Sequence, residues 1–182
     1  TGRVSLLGQT LLGLGMICMN QDRLDDAKGY LARTSTLARQ RRSVRGQVLY
    51  GLFEAHRCWL AQETLMGLRV IEETVRLAQQ MKWRHGEGVA WSMAGALELG
   101  RQNVSGARQR LERSSQLLEA PHYEDHALLQ VFWGHLALAE GSVERAKEHC
   151  QQGNVFREKK GLGLNSSVGL GLSRLEQAIQ EA

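Results

Sequence analysis

Small residues recur at a fixed interval along this chain, and that interval leaves few folds open. Ala27, Gly67, Ala107 and Ala146 follow one another at 40, 40 and 39 residues. Each is preceded, twelve positions earlier, by a second small residue: Gly15, Ala55, Gly95 and Gly134. Each is followed four positions later by a larger one: Leu31, Ile71, Leu111 and Cys150. Helices that cross closely need small side chains where their backbones meet and a larger knob beside them. A fixed period of this size is the signature of a stacked helical repeat.

The rest of the chain agrees with helices. It has one proline and no long alternating β-branched runs, so an all-α protein is expected. Aromatics are 5% of the residues, so Leu, Ala, Val and Met must build most of the core. Apolar periodicity places helices at 4–19 and 23–39, 47–60 and 62–81, 88–99 and 104–119, and 121–140 and 143–158. Asp22, Asn103 and Ser142 are the expected N-caps, and Pro121 suits a first helical turn. The repeats then span 4–40, 44–81, 84–119 and 121–158, in one domain. Residues 162–182 form either a partial repeat or a capping helix. Arg174, Glu176, Gln177 and Gln180 would give it the polar outer face that the end of a stack needs. Gly15 has a packing reason; Gly8 and Gly13 have none that the sequence reveals.

Charge is a weaker guide. There are 23 basic and 19 acidic residues, and the arginines are spread over nearly every segment. A nucleic-acid binder concentrates them on one face. The run Arg39, Arg41, Arg42 and Arg45 therefore reads as a solvated turn between repeats, at a helix C-terminus that favours cations. Arg101, Arg108, Arg110 and Arg113 read as a solvated outer helix face. Cys18 and Cys58 share a repeat position, and Cys150 falls where Leu31, Ile71 and Leu111 fall, so all three read as buried, reduced thiols of a cytoplasmic protein. No apolar stretch is long enough to span a membrane. The chain begins with Thr1 and reads as a piece of a longer protein.

With three sites recurring in phase, the chain resembles the tetratricopeptide repeat. That resemblance implies a right-handed superhelical α-solenoid of antiparallel helix pairs, with about four repeats plus a terminal helix. Departures are the missing proline after each second helix, a first aromatic site kept only at Trp91, and a period longer than the family's usual one. The long period, with RRSVRGQVLYGL and WRHGEGVAWSMAG, resembles the sensor arms of maltose-regulator-type LuxR transcription regulators and related signalling ATPases. It also resembles the Leu-Gly-Asn-repeat spindle-orientation proteins. The resemblance implies a partner- or inducer-sensing scaffold within a larger regulator. No GxxxxGK[ST] loop is present for ATP.

In such a fold the first helix of each unit lines the concave face. By phase that face would draw on Met16, Met19, Leu52, His56, Trp59, Ser92, Leu99, Val131, His135 and Leu138. These are mostly apolar, where a carboxylate clamp would place Lys, Arg and Asn. The expected partner is a protein or peptide with an apolar segment, with a small inducer as the alternative and nucleic acid disfavoured. His122 and His126 share a helix face with Asp125 beside them, but no third metal ligand is evident. His149, beside Cys150, reads as structural. There is no GxSxG, HExxH or CxxC, and Glu72 and Glu73 point apart. The expectation is a non-enzymatic chain without cofactor or metal.

Overall fold

The computed structural model describes residues 5–118 and 123–182. Val4, Glu119, Pro121 and His122, each singled out above, lie outside the described residues. All regular structure described is helical: α1 Leu6–Asn20, α2 Leu24–Gln40, α3 Val44–Leu60, α4 Thr64–Gln80, α5 Arg84–Gly100, α6 Val104–Leu117, α7 Tyr123–Ala139, α8 Val143–Lys160 and α9 Ser167–Glu181. Consecutive helices pack as antiparallel pairs. Odd-numbered helices also pack on the next odd-numbered one, whereas the backbones of even-numbered helices approach closely only those of their chain neighbours. The odd helices thus form an inner row with the even ones outside. The row bends back on itself: α9 touches α1, where the Ser167 hydroxyl donates to Asn20 Oδ1 at 3.0 Å.

One turn builds nearly every connection. The residues at positive φ are Asp22, Arg42, Gln62, Lys82 and Gln102, spaced by 20, followed by Gly141 and Gly161. Each closes its helix with a Schellman pair of hydrogen bonds. In the first, the Arg23 N–H reaches the Cys18 carbonyl at 2.9 Å and the Asp22 N–H reaches Met19 at 3.1 Å. The same pair recurs from Ser43 to Ala38 and Arg42 to Arg39, and from Asn103 to Glu98 and Gln102 to Leu99. Asp22 is therefore the left-handed end of α1, and not the N-cap of α2. The cap position belongs to Arg23, which makes no side-chain cap bond. Asn103 does cap α6, accepting from the Gly106 N–H at 3.1 Å; Ser142 holds its cap position without a side-chain bond. The 20-residue rhythm also starts α3 and α5 about one turn earlier than apolar periodicity indicated, after Ser43 and Trp83. The Gly8 N–H donates to the capping Ser5 Oγ at 3.2 Å, a bond that any residue but proline could make.

The close crossings occur where the small residues required them, with one exception. A Cβ on Gly95 would lie 2.6 Å from Leu111 Cδ2 and 3.3 Å from the Ala107 carbonyl oxygen. Gly15 meets Leu31 and Ala27 in the same way, at 3.3 and 3.8 Å. Gly67, between α3 and α5, would place a Cβ 2.6 Å from Leu97 and 3.0 Å from Cys58 Cβ. Gly134 departs from the pattern: the atoms nearest a Cβ there belong to Leu175 of α9. Ala27, Ala55, Ala107 and Ala146 are fully buried.

Of the outer arginines, Arg101 and Arg113 are exposed as expected and Arg110 is largely covered, but most also reach neighbouring elements. Arg108 reaches across to Glu140, the residue that follows α7. Arg110 pairs with Glu98 at 2.9 Å, approaches Glu72 at 3.7 Å, and lies over the Trp91 ring. Arg113 lies 3.7 Å from Glu87. They stitch α6 to α4, α5 and the end of α7, and only Arg101 stays with its own turn. Arg45 likewise stands over the Trp83 ring at 4.8 Å, inside α3 and not in a turn.

Candidate partner-binding face

The expected face residues divide into three groups. Met19, Ser92 and Val131 are buried and present no surface. The reason is the direct packing of odd helices on one another, which fills these positions: Val131 abuts Gly171 of α9, and the Ser92 hydroxyl donates to the Val89 carbonyl at 2.8 Å. Leu138 is half-buried and packs on the core. The other six line two cavities.

Met16, Leu52 and His56 border a cavity of about 250 Å³, with Phe53, Met93 and Leu128 among its apolar walls. Four odd helices, α1, α3, α5 and α7, supply this lining, and Ser167 of α9 closes one edge. The polar rim is a pair that sequence reading missed: His85 Nε2 and Asp125 Oδ2, 3.0 Å apart. Both lie in the first turn of successive inner helices, α5 and α7, which brings them together.

Trp59, Leu99 and His135 border a second cavity, of about 280 Å³, with Ala96 and Phe132. Trp59 of α3 meets Phe132 of α7 edge to face at 5.4 Å, across the small Ala96 of α5. His56 lies 5.9 Å from Trp59, linking the cavities.

Both histidines are held neutral. Burial pushes His56 down to about 4, and the charge of Arg174 adds to the effect. His135 is lowered by the same two causes. Arg174 was expected on a polar outer face; it is exposed, but its charge acts on the inner row. Glu176 stays exposed and ties α9 to α8, accepting from Asn154 Nδ2 at 3.2 Å. His135 Nε2 is buried and makes no hydrogen bond.

The remaining chemistry-bearing groups are engaged in the fold. Asp125 pairs with His85, and His126 stacks on Phe156 at 5.6 Å; the helix-face pair of His122 with His126 lies partly outside the described residues. Among the described residues no three His, Cys, Asp or Glu side chains converge as metal ligands. His149 accepts or donates to Gln130 at 2.7 Å and stacks on Trp133. Burial pushes the Cys58 thiol up to about 12 and that of Cys150 up to about 11, so neither is a thiolate at neutral pH. Cys58 sits within a buried cluster that sequence reading did not find. Arg57, 2% exposed, bonds Glu54 Oε1 at 2.8 Å and Glu63 Oε2 at 2.7 Å. Burial works to lower its pKa, but the bonds from Glu63 and Glu54 outweigh that and keep the guanidinium charged. No sequence signal set this arginine apart from the exposed ones.

Comparison with known proteins found no matching family model, no similar curated protein and no similar solved structure. No helix among the described residues is long and apolar enough to cross a membrane.

Proposed function

We propose that this chain is a non-enzymatic binding module of tetratricopeptide type. In this reading it is a right-handed superhelical solenoid of about four repeats plus a terminal helix, working in the cytoplasm as the sensing part of a larger signalling or transcription regulator. Its inner row takes an apolar segment of a protein or peptide partner. The observation that carries this is a pair of adjoining cavities along the inner row, the first lined mainly by apolar side chains and the second mixed. Six side chains, Met16, Leu52, His56, Trp59, Leu99 and His135, line them from different repeats. Met and Trp supply adaptable and large contact area to such a surface. The neutral imidazoles add hydrogen-bonding groups without charge.

The test is titration with a synthetic amphipathic helix bearing Leu at i, i+3, i+4 and i+7, followed by tryptophan fluorescence. Binding is expected, and Trp59→Ala should weaken it at least about tenfold. Binding unchanged in both Trp59→Ala and Leu52→Glu would overturn the inner-row assignment.

The second reading is a receptor for a small apolar ligand. The cavity at Met16, Leu52 and His56 favours it, because residues from α1 to α9 meet there and a ligand would tie the two ends of the row together. A rise in melting temperature with small apolar compounds but not with peptides would select it.

A further inference from the structure

The helix α1 leaves open the face that its repeat partners bury. Repeat spacing aligns Leu6, Thr10, Leu14 and Ile17 of α1 with Gly46, Tyr50, Glu54 and Arg57 of α3, and with Gly86, Ala90, Ala94 and Leu97 of α5. In α3 this face meets α2: a Cβ on Gly46 would lie 3.1 Å from Ala38 Cβ. In α5 it meets α4, through Leu97 against Gly67. In α7 the aligned Trp133 donates from its indole N–H to Ser115 of α6 at 3.2 Å. At these positions α3 and α5 are buried except for the half-buried Tyr50, whereas in α1 Leu6 is 80% exposed, Ile17 54% and Leu14 36%. This face is therefore the chain's own surface for receiving an antiparallel helix.

We infer that α1 pairs with α1 of a second copy of this chain about a two-fold axis. Three features favour a copy of itself. A two-fold axis perpendicular to a helix makes the two copies antiparallel, which is how every neighbouring pair in this fold is arranged. The helix carries no charged residue from Leu6 to Asn20, so two copies meet without like-charge repulsion. Its exposed stripe is also self-complementary. With the axis between Leu11 and Leu12, Leu6 faces the second copy's Ile17, and Thr10 faces its Gly13. Gly13 has nothing within 4 Å of a Cβ position. It has no packing role inside the chain, and it is the residue that lets a second helix approach. Small residues at the crossing with larger ones beside them repeat the arrangement of Gly95, Ala107 and Leu111.

Sedimentation of the whole chain up to about 200 µM tests this. The wild type is expected to form dimers. Ile17→Lys places like charges in the pair, and Gly13→Leu blocks the crossing. Each should raise the dimer Kd at least about tenfold. At low concentration the melting temperature of Gly13→Leu should be unchanged or raised, because the site is open and leucine favours helix. A wild type that stays monomeric throughout overturns the inference. So does a dimer that both variants leave intact.

Discussion

α1 and α5 hold the same place in two repeats, and they live in different surroundings. The middle of α5 is buried from Ser92 to Glu98, between α4, α6 and the neighbouring inner helices. α1 has a helix on one side and an open apolar stripe on the other. Their glycines show the same division. Gly95 has no room for a Cβ, whereas Gly13 has nothing near one. Position in the repeat sets which way a side chain points. What lies there sets what the side chain contributes.

The position shared by Ile17, Arg57 and Leu97 gives the largest predicted effects. Arg57→Ala should cost about 3–5 kcal/mol, because it leaves Glu54 buried without its partner. Leu97→Ala should cost about 2–5 kcal/mol through lost burial and a cavity between α4 and α5. A loss at Arg57 below about 1 kcal/mol in urea denaturation would mean that the cluster relaxes into solvent.

Next in size is a pH dependence from the inner row. His56 takes a proton near pH 6.5 when unfolded and near pH 4 when folded. Between those values the unfolded chain binds more protons, so stability rises with pH. The stability is fully present above about pH 6.5 and is lost as pH falls toward 4, by up to about 3 kcal/mol. Comparing urea midpoints at pH 7 and pH 4.5 checks this, and His56→Gln should flatten the difference. An equal loss in that variant would place the pH sensitivity elsewhere.

Glycine substitutions then contrast the two helices directly. Gly95→Ala should cost about 1–3 kcal/mol by overpacking against Leu111. Gly13→Ala should stabilise by about 1 kcal/mol at low protein concentration, through helix propensity alone. Smaller still is the effect in the turns. Gln102→Gly should stabilise by about 0.5–1 kcal/mol, since an L side chain is strained at its φ of 59°. A melting temperature that falls on this change would show that the Gln102 side chain has a role of its own.

Much of the helix pairing was legible because it rests on side-chain size. A close crossing demands Gly or Ala, and four phased pairs expose the period. The cap at Asn103 was legible for a similar reason, since its side chain does a job few others can do. The turns were not legible, because the left-handed residues are Asp22, Arg42, Gln62, Lys82 and Gln102, where glycine would have marked them. Their Schellman bonds use backbone groups alone. Nor could helical phase tell Met19, Ser92 and Val131 from Met16, Leu52 and Trp59. All lie toward the inner row, and only the packing of odd helix on odd helix decides which are covered. Arg57 shows the same limit for charge, since its burial depends on Glu54 and Glu63 arriving together.

The most direct test of repeat position against surroundings is the paired urea denaturation of Ile17→Ala and Leu97→Ala at low protein concentration. Both remove an apolar side chain at one repeat position. Leu97→Ala should lose about 2–5 kcal/mol and Ile17→Ala less than about 0.5. Equal losses from the two would contradict the assignment of α1 as the inner helix whose outward face lies open.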